Sequence, residues 1–220
     1  MTTMSEEGLG VSATSSMAEA TLPKTTDTSW DVTVARMISR LASPPLVVSA
    51  IMVAVISRLG GLAWTWGVVY LLVAVLAPLS YLVMLVRRGL VTDLDVRLRK
   101  QRARPLLLTT LCSAVAFLLL LIGVASVSMV TVAAGFLVQA VAIYVITLRW
   151  KISVHCAVAA GAATTVWALW GQPAALLFGL PLVAWSRVKL HRHSVWQTII
   201  GGLLGLSVFV TAFYTMLGGH

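Results

Sequence analysis

Acidic residues are scarce in this chain. Its 220 residues include seven Asp and Glu against sixteen Lys and Arg. Five of the seven acids, Glu6, Glu7, Glu19, Asp27 and Asp31, fall in the first 31 residues, and only Asp93 and Asp95 follow. A cage of carboxylates around a divalent cation has little to draw on, which argues against a two-metal prenyl- or alcohol-phosphate transferase. Charge of either sign is thin: 10% of the residues are charged, where a soluble domain carries roughly 25%. With 59% of the residues hydrophobic, no soluble fold of this size can hide its apolar surface, so lipid is the solvent. There are two cysteines, Cys112 and Cys156. Both sit in apolar surroundings and read as small buried residues rather than a disulfide.

What the chain does have is a formal charge of +9 and long apolar runs. The basic residues cluster in short segments between those runs, a pattern of membrane topology and anionic-lipid contact rather than of nucleic-acid binding. The reading is an all-α, polytopic membrane helical bundle. Residues 1–27, rich in Ser, Thr, Glu and Ala, read as a disordered tail, with no apolar stretch of the kind a signal peptide needs. Residues 28–43 bring Trp30, Val34, Met37, Ile38 and Leu41 together at helical spacing and read as an interfacial amphipathic helix. An early extension of the first span is the alternative. Pro44-Pro45 breaks the chain there.

The transmembrane domain takes residues 44–220, with six to seven spans. They are expected at 44–59, 62–86, 105–127, 129–148, 154–171, 173–186 and 197–217. Gly201 and Gly205 form a GxxxG pair in the last of them, a helix-packing signal. With seven spans, fifteen of the sixteen basic residues share one side and Arg58 stands alone on the other. The positive-inside rule then places the N-terminus and the rich side in the cytoplasm of a cell-membrane protein.

Three polar segments fall on that rich side. The first runs from Thr92 to Pro105. If helical, it aligns Asp93, Arg97, Lys100 and Arg104 in one stripe, with Pro105 in the first turn of the next span. Its plain alternative is a solvated basic loop against lipid headgroups, with Asp93 and Asp95 paired to Arg97 and Arg99. The second segment is Lys151-Ile152-Ser153-Val154-His155. Ser153 suits a helix cap, and an ionisable His155 just inside an apolar span is costly unless it works. The third runs from Ser186 to Gln197, where His193 and Gln197 are four residues apart, so the amide reaches the imidazole and leaves its other nitrogen free. His191 points elsewhere and reads as interfacial. Arginine forks match phosphate oxygens, one His can attack phosphorus and a second can protonate the departing oxygen.

These residues resemble a known family, the type 2 phosphatidic acid phosphatases of the vanadium-haloperoxidase-like superfamily. That family's pattern has three parts, K-x6-R-P, P-S-G-H and S-R-x5-H-x3-D. Here they read Arg97-x6-Arg104-Pro105, Ile152-Ser153-Val154-His155 and Ser186-Arg187-x5-His193-x3-Gln197, in order and with internal spacing kept. The resemblance implies a nucleophilic His193, an acid His155, and Arg97, Arg104, Ser153 and Arg187 as phosphate ligands. Lys151 is a further candidate phosphate contact. No metal or other cofactor is implied. The partners expected are a phosphorylated lipid and the surrounding membrane lipids, with room for a homo-oligomer and no place for nucleic acid. Four departures stand out: Arg97 for Lys, Ile152 for Pro, Val154 for Gly and Gln197 for Asp. Gln197 orients an imidazole but cannot stabilise its charged form as a carboxylate does, and the equivalent Asp-to-Asn change in a serine-protease triad costs about 10⁴ in turnover. Two readings follow. One is a metal-independent lipid-phosphate phosphohydrolase acting on a phosphatidate-like or polyprenyl phosphate substrate through a phosphohistidine. The other is a binder of phosphorylated lipids, or a complex subunit, that keeps the pocket and lacks hydrolysis.

Overall fold

The structure, a computed structural model, describes residues 30–96 and 98–217. The tail at 1–27 and the expected phosphate ligand Arg97 lie outside the described residues. All regular structure among the described residues is helical, in eight helices. They are α1 (Trp30–Leu41), α2 (Pro44–Leu59), α3 (Ala63–Arg87), α4 (Arg99–Ile122), α5 (Val127–Arg149), α6 (Val154–Trp170), α7 (residues 175–189) and α8 (Val195–Leu217).

Every expected span coincides with a helix. Only α3, α4, α5 and α8 are long and apolar enough to cross a membrane alone, and α1 with α2 makes a fifth if counted as one span bent by 53°. α6, with 17 residues, reaches about 25 Å at 1.5 Å per residue, short of a hydrocarbon core of about 30 Å. By length and composition the number of spans is therefore four to five, a coarser result than the seven expected. The chain is a multi-pass helical membrane protein.

Proline and glycine set the breaks. Pro44 and Pro45 occupy the first turn of α2, where a missing N–H costs nothing. Gly171 closes α6 with φ 68° and its N–H on Trp167 O, the left-handed end that glycine permits. Pro78 and Pro181 each follow a π-turn, Leu71–Leu76 in α3 and Ala175–Gly179 in α7. A proline ring clashes with the carbonyl four residues back, and a local widening of the helix relieves the clash.

α4 departs from the expectation. It begins at Arg99, so Pro105 lies inside the helix rather than in its first turn. Asp93 and Asp95 precede it in an irregular segment, so the expected helical stripe does not reach back to Asp93.

The core joins Met52 and Ile56 of α2, Leu120 of α4, Met129 and Phe136 of α5, and Phe209 of α8. The most extensive helix pair is α6 with α8. Gly135 and Gly161 leave room for the Phe209 ring, and Gly201 and Gly205 bring α8 against the α6 backbone. α1 docks on α7 through its buried Ala35 and Ser39, while Trp30, Met37 and Leu41 remain exposed. An ion pair between Asp31 and Lys189 at 2.5 Å supports that contact.

Contacts fix which loops share an end. Lys151 Nζ donates to Arg192 O at 2.8 Å, Arg102 Nη1 to Ile152 O at 3.3 Å, and Arg187 meets Asp95. The α3–α4, α5–α6 and α7–α8 connections thus gather at one end, with α1 beside them. At the other end Arg58 donates to Leu169 O and lies over the Trp170 ring, 5.6 Å from its centroid.

Candidate phosphate site

At the polar end a cavity of about 380 Å³ runs into the bundle. Its outer wall carries Asp95, Arg102, His155, Arg187 and His193, and its inner wall is largely apolar, with Ala74, Leu79, Phe136 and Val158. These polar residues come from four separate elements: the segment before α4, α4 itself, the start of α6, and α7 with its following loop.

Two guanidinium groups are buried here. Arg187 is 2% exposed and Arg102 6%. Arg187 Nη1 donates to Ser39 Oγ at 2.5 Å and to Asp95 Oδ2 at 3.3 Å, and its Nε has no partner among the described residues. Arg102 Nε donates to Val96 O at 2.7 Å, where Val96 holds φ 43°. Among the described residues Asp95 is the only carboxylate lining the cavity, so the site keeps a net positive charge when both histidines are neutral.

His193 sits in the α7–α8 turn and is 7% exposed. Its Nδ1 lies 3.1 Å from Gln197 Oε1, which also accepts from the Ser194 N–H at 3.2 Å. An amide oxygen so engaged requires Nδ1 to carry the proton, which leaves the Nε2 lone pair free. Burial first, then the charges of Arg102 and Arg187, hold the His193 pKa down to about 3. The imidazole is neutral at pH 7, as a nucleophile must be. His155, on the first turn of α6, is also 7% exposed, its Nε2 has no partner among the described residues, and the Ser39 main chain approaches it.

A consequence for stability follows from the depressed His193. Below the ordinary value of 6.5 the unfolded chain takes up a proton, and the folded chain takes it only near 3. The unfolded state binds more protons across that window, so the folded state is destabilised as pH falls, by up to about 1.4 kcal/mol per pH unit for this residue. The thermal midpoint in detergent should drop on acidification from pH 7 to 4, and His193→Gln should remove about one proton from that dependence. An unchanged slope in the variant would contradict the assignment.

Of the expected site residues, the structure gathers His155, Arg187 and His193 at the cavity and sets Gln197 behind His193. Arg104 is exposed and does not line it. Arg102 takes the inward place, because residues two apart on a helix point about 200° apart. Ser153 is fully buried as the cap of α6, its Oγ accepting from Cys156 N at 3.4 Å and its N–H donating to Gln197 O at 3.2 Å. That is a scaffold position and not a cavity wall, and it corrects the expected phosphate contact. Lys151 lies outside the cavity on a neighbouring chamber. Asp95 meets Arg187, and the expected pairing of Asp93 and Asp95 with Arg97 and Arg99 falls on side chains outside the described ones.

Sequence reasoning missed Arg102, Ser39 and Gln139. Gln139 is 1% exposed, contributes to the cavity wall, and its amide has no partner among the described residues. A glutamine mid-way along an apolar helix is its one local signal. Comparisons of the chain with family models, with curated proteins and with solved structures find no match in any of the three.

Proposed function

We propose that this chain is a lipid-phosphate phosphohydrolase of the cell membrane, similar in chemistry to the type 2 phosphatidic acid phosphatases. The observation that carries the reading is the pairing of two buried guanidinium groups with two neutral-capable histidines at the mouth of an apolar cavity. A phosphate group matches the arginines, and its hydrocarbon matches the inner wall. A groove on the outer surface between α2 and α3 shares Pro45, Leu46, Val75 and Leu79 with the cavity wall. The shared wall gives an acyl or prenyl chain a short way in.

The chemistry assigned is two displacements at phosphorus. His193 Nε2 attacks, a P–N bond forms, and the P–O bond to the lipid breaks. A substrate phosphate that arrives as the monoanion hands its proton to His155, and His155 passes it to the departing oxygen. Water then cleaves the P–N bond, releasing phosphate and restoring the imidazole. Arg187 and Arg102 hold the equatorial oxygens, where charge grows in the transition state. Asp95 must yield Arg187, wholly or in part, to the incoming phosphate. We place the site and the N-terminus on the cytoplasmic side, on the excess of basic residues at that end.

The test is phosphate release by detergent-purified protein from phosphatidate, phosphatidylglycerol phosphate and polyprenyl diphosphate, with a chelator present. Release from one class names the substrate. No release from any, by folded protein, sinks the hydrolase reading and leaves a lipid-phosphate binder, which Gln197 and Val154 favour. Gln197→Glu sharpens the test. It puts a carboxylate oxygen in the place of Gln197 Oε1, 3.1 Å from Nδ1, where it stabilises the imidazolium that the amide cannot, and kcat should rise by about 10²-fold or more, within the 10⁴ that such an exchange costs elsewhere. An unchanged or lower kcat would show that this chain does not use an orienting carboxylate.

A further inference from the structure

On the solvent side of the cavity lies a second chamber of about 220 Å³. It is lined by Lys151, Arg192, Leu190 and His191, and by Asp95, Arg102 and Arg187, the three residues it shares with the cavity. Neither His155 nor His193 lines it. The shared residues form the partition between the two spaces.

The electrostatics of this chamber are lopsided. Four cationic side chains, Arg102, Lys151, Arg187 and Arg192, face one carboxylate, Asp95, which already serves Arg187. Arg187 Nε and Arg192 Nη1 are buried and have no hydrogen-bond partner among the described residues. Lys151 is anchored with its Nζ on Arg192 O, at 2.8 Å, so it is held at the chamber rather than free to leave it. Burial and the charges of Arg102 and Arg187 lower its pKa, as expected where cations crowd without enough counter-charge. Topology charges need only be near the interface in water. They need not turn inward and share a pocket, and doing so costs repulsion unless an anion joins them.

We infer that the outer chamber binds a phosphate-class oxyanion of its own, distinct from the phosphate held at the two histidines. Lys151 and Arg192 are its dedicated ligands, and Arg187 bridges the two anions. A water takes about 30 Å³ of liquid, so 220 Å³ admits a tetrahedral oxyanion with some of its hydration. The inference rests on the lipid-phosphate reading for the inner site but not on hydrolysis there. Two sources supply such an anion: a second phosphate covalently part of the substrate, as in a lipid diphosphate, or free inorganic phosphate.

Binding separates these cases and does not depend on turnover. Thermal unfolding of the full chain in detergent would be titrated with sodium phosphate against sodium chloride of equal ionic strength. The titrations would run with and without saturating polyprenyl monophosphate, in wild type, Lys151→Met, Arg192→Gln and His193→Ala. Phosphate should stabilise the lipid-saturated wild type beyond chloride. Lys151→Met and Arg192→Gln should each weaken that effect at least tenfold in phosphate concentration, and His193→Ala should leave it in place. Polyprenyl diphosphate would then be compared with the monophosphate. Tighter binding of the diphosphate by tenfold or more, lost in Arg192→Gln, assigns the second anion to the substrate. Equal binding of the two lipids, with phosphate still adding to the monophosphate complex, assigns it to free phosphate. Phosphate no better than chloride, or phosphate that competes one-for-one with the monophosphate and ignores both substitutions, would overturn the second site. Loss of turnover in protein that still shows both binding events would overturn hydrolysis alone.

Discussion

His193→Ala should abolish phosphate release, lowering kcat by at least about 10³-fold while leaving lipid-phosphate binding within a few-fold of wild type. The expectation follows from where each group sits. The arginines that hold the phosphate, Arg102 and Arg187, are anchored by Val96 O, Ile152 O, Ser39 and Asp95. None of these anchors involves the His193 side chain. Removing the imidazole takes away the atom that bonds to phosphorus and little of the electrostatic hold. Deleting the nucleophile of a covalent mechanism costs on the order of 10⁶ in a well-studied protease, with residual rate from binding and charge stabilisation alone. A weaker starting enzyme, with an amide behind its nucleophile, has less to lose, hence the lower bound. The measurement is a split between kcat and binding: phosphate release against the midpoint shift given by a lipid phosphate. Equal losses in both would mean that His193 is structural. Full activity without it would mean that the nucleophile lies elsewhere.

The second large effect is on folding. Gly205→Ala should lower the thermal midpoint steeply or leave no folded protein, a loss of about 3 kcal/mol or more, at the severe end for overpacking. A Cβ at Gly205 would stand 2.1 Å from Ala157 O and 2.9 Å from both Ala157 C and Ala160 Cβ. Those are backbone and first side-chain atoms of α6, which cannot swing aside as a flexible tip can. One turn earlier, a Cβ at Gly201 would stand 2.6 Å from Ser153 O. The pair sets the separation of α6 from α8, and so the distance between His155 on the one and Gln197 on the other. Gly202→Ala is the control. Its Cβ would meet only Leu180 side-chain atoms at 3.6 and 3.7 Å, an ordinary contact, and alanine is the better helix former by about 1 kcal/mol. Unfolding midpoints and the yield of monodisperse protein would decide. Equal loss at both positions would refute the close-approach account.

Much of this arrangement was legible in the amino-acid order. Runs of apolar residues interrupted by Pro44-Pro45, by the basic segments and by Gly171 mark helices and their ends, because periodicity and chain breaks act over a few residues. The His193–Gln197 contact was legible for the same reason, since residues four apart lie on one face and the turn before α8 keeps them close. The Gly201 and Gly205 pair announced a close helix approach, though not its partner. The number of crossings was less legible, because apolar runs look alike whether a helix is 17 residues long or 25, and only length decides which can span alone.

The site itself needed the tertiary structure. Arg102 and Arg104 are equally basic and two residues apart, and which one turns inward depends on the rotation of α4, set by its packing on α3 and α5. α4 starts at Arg99, which puts Pro105 inside it and leaves Asp93 and Asp95 outside. Arg187 finds Ser39 across 148 positions and Asp95 across 92, distances over which sequence spacing carries no geometric information. Local order along the chain determined that helices form, where they break and that His193 is held by Gln197. Which cations share a buried cavity, and which turn away to solvent, was decided by the rotation of packed helices, a choice made by contacts between residues far apart in sequence.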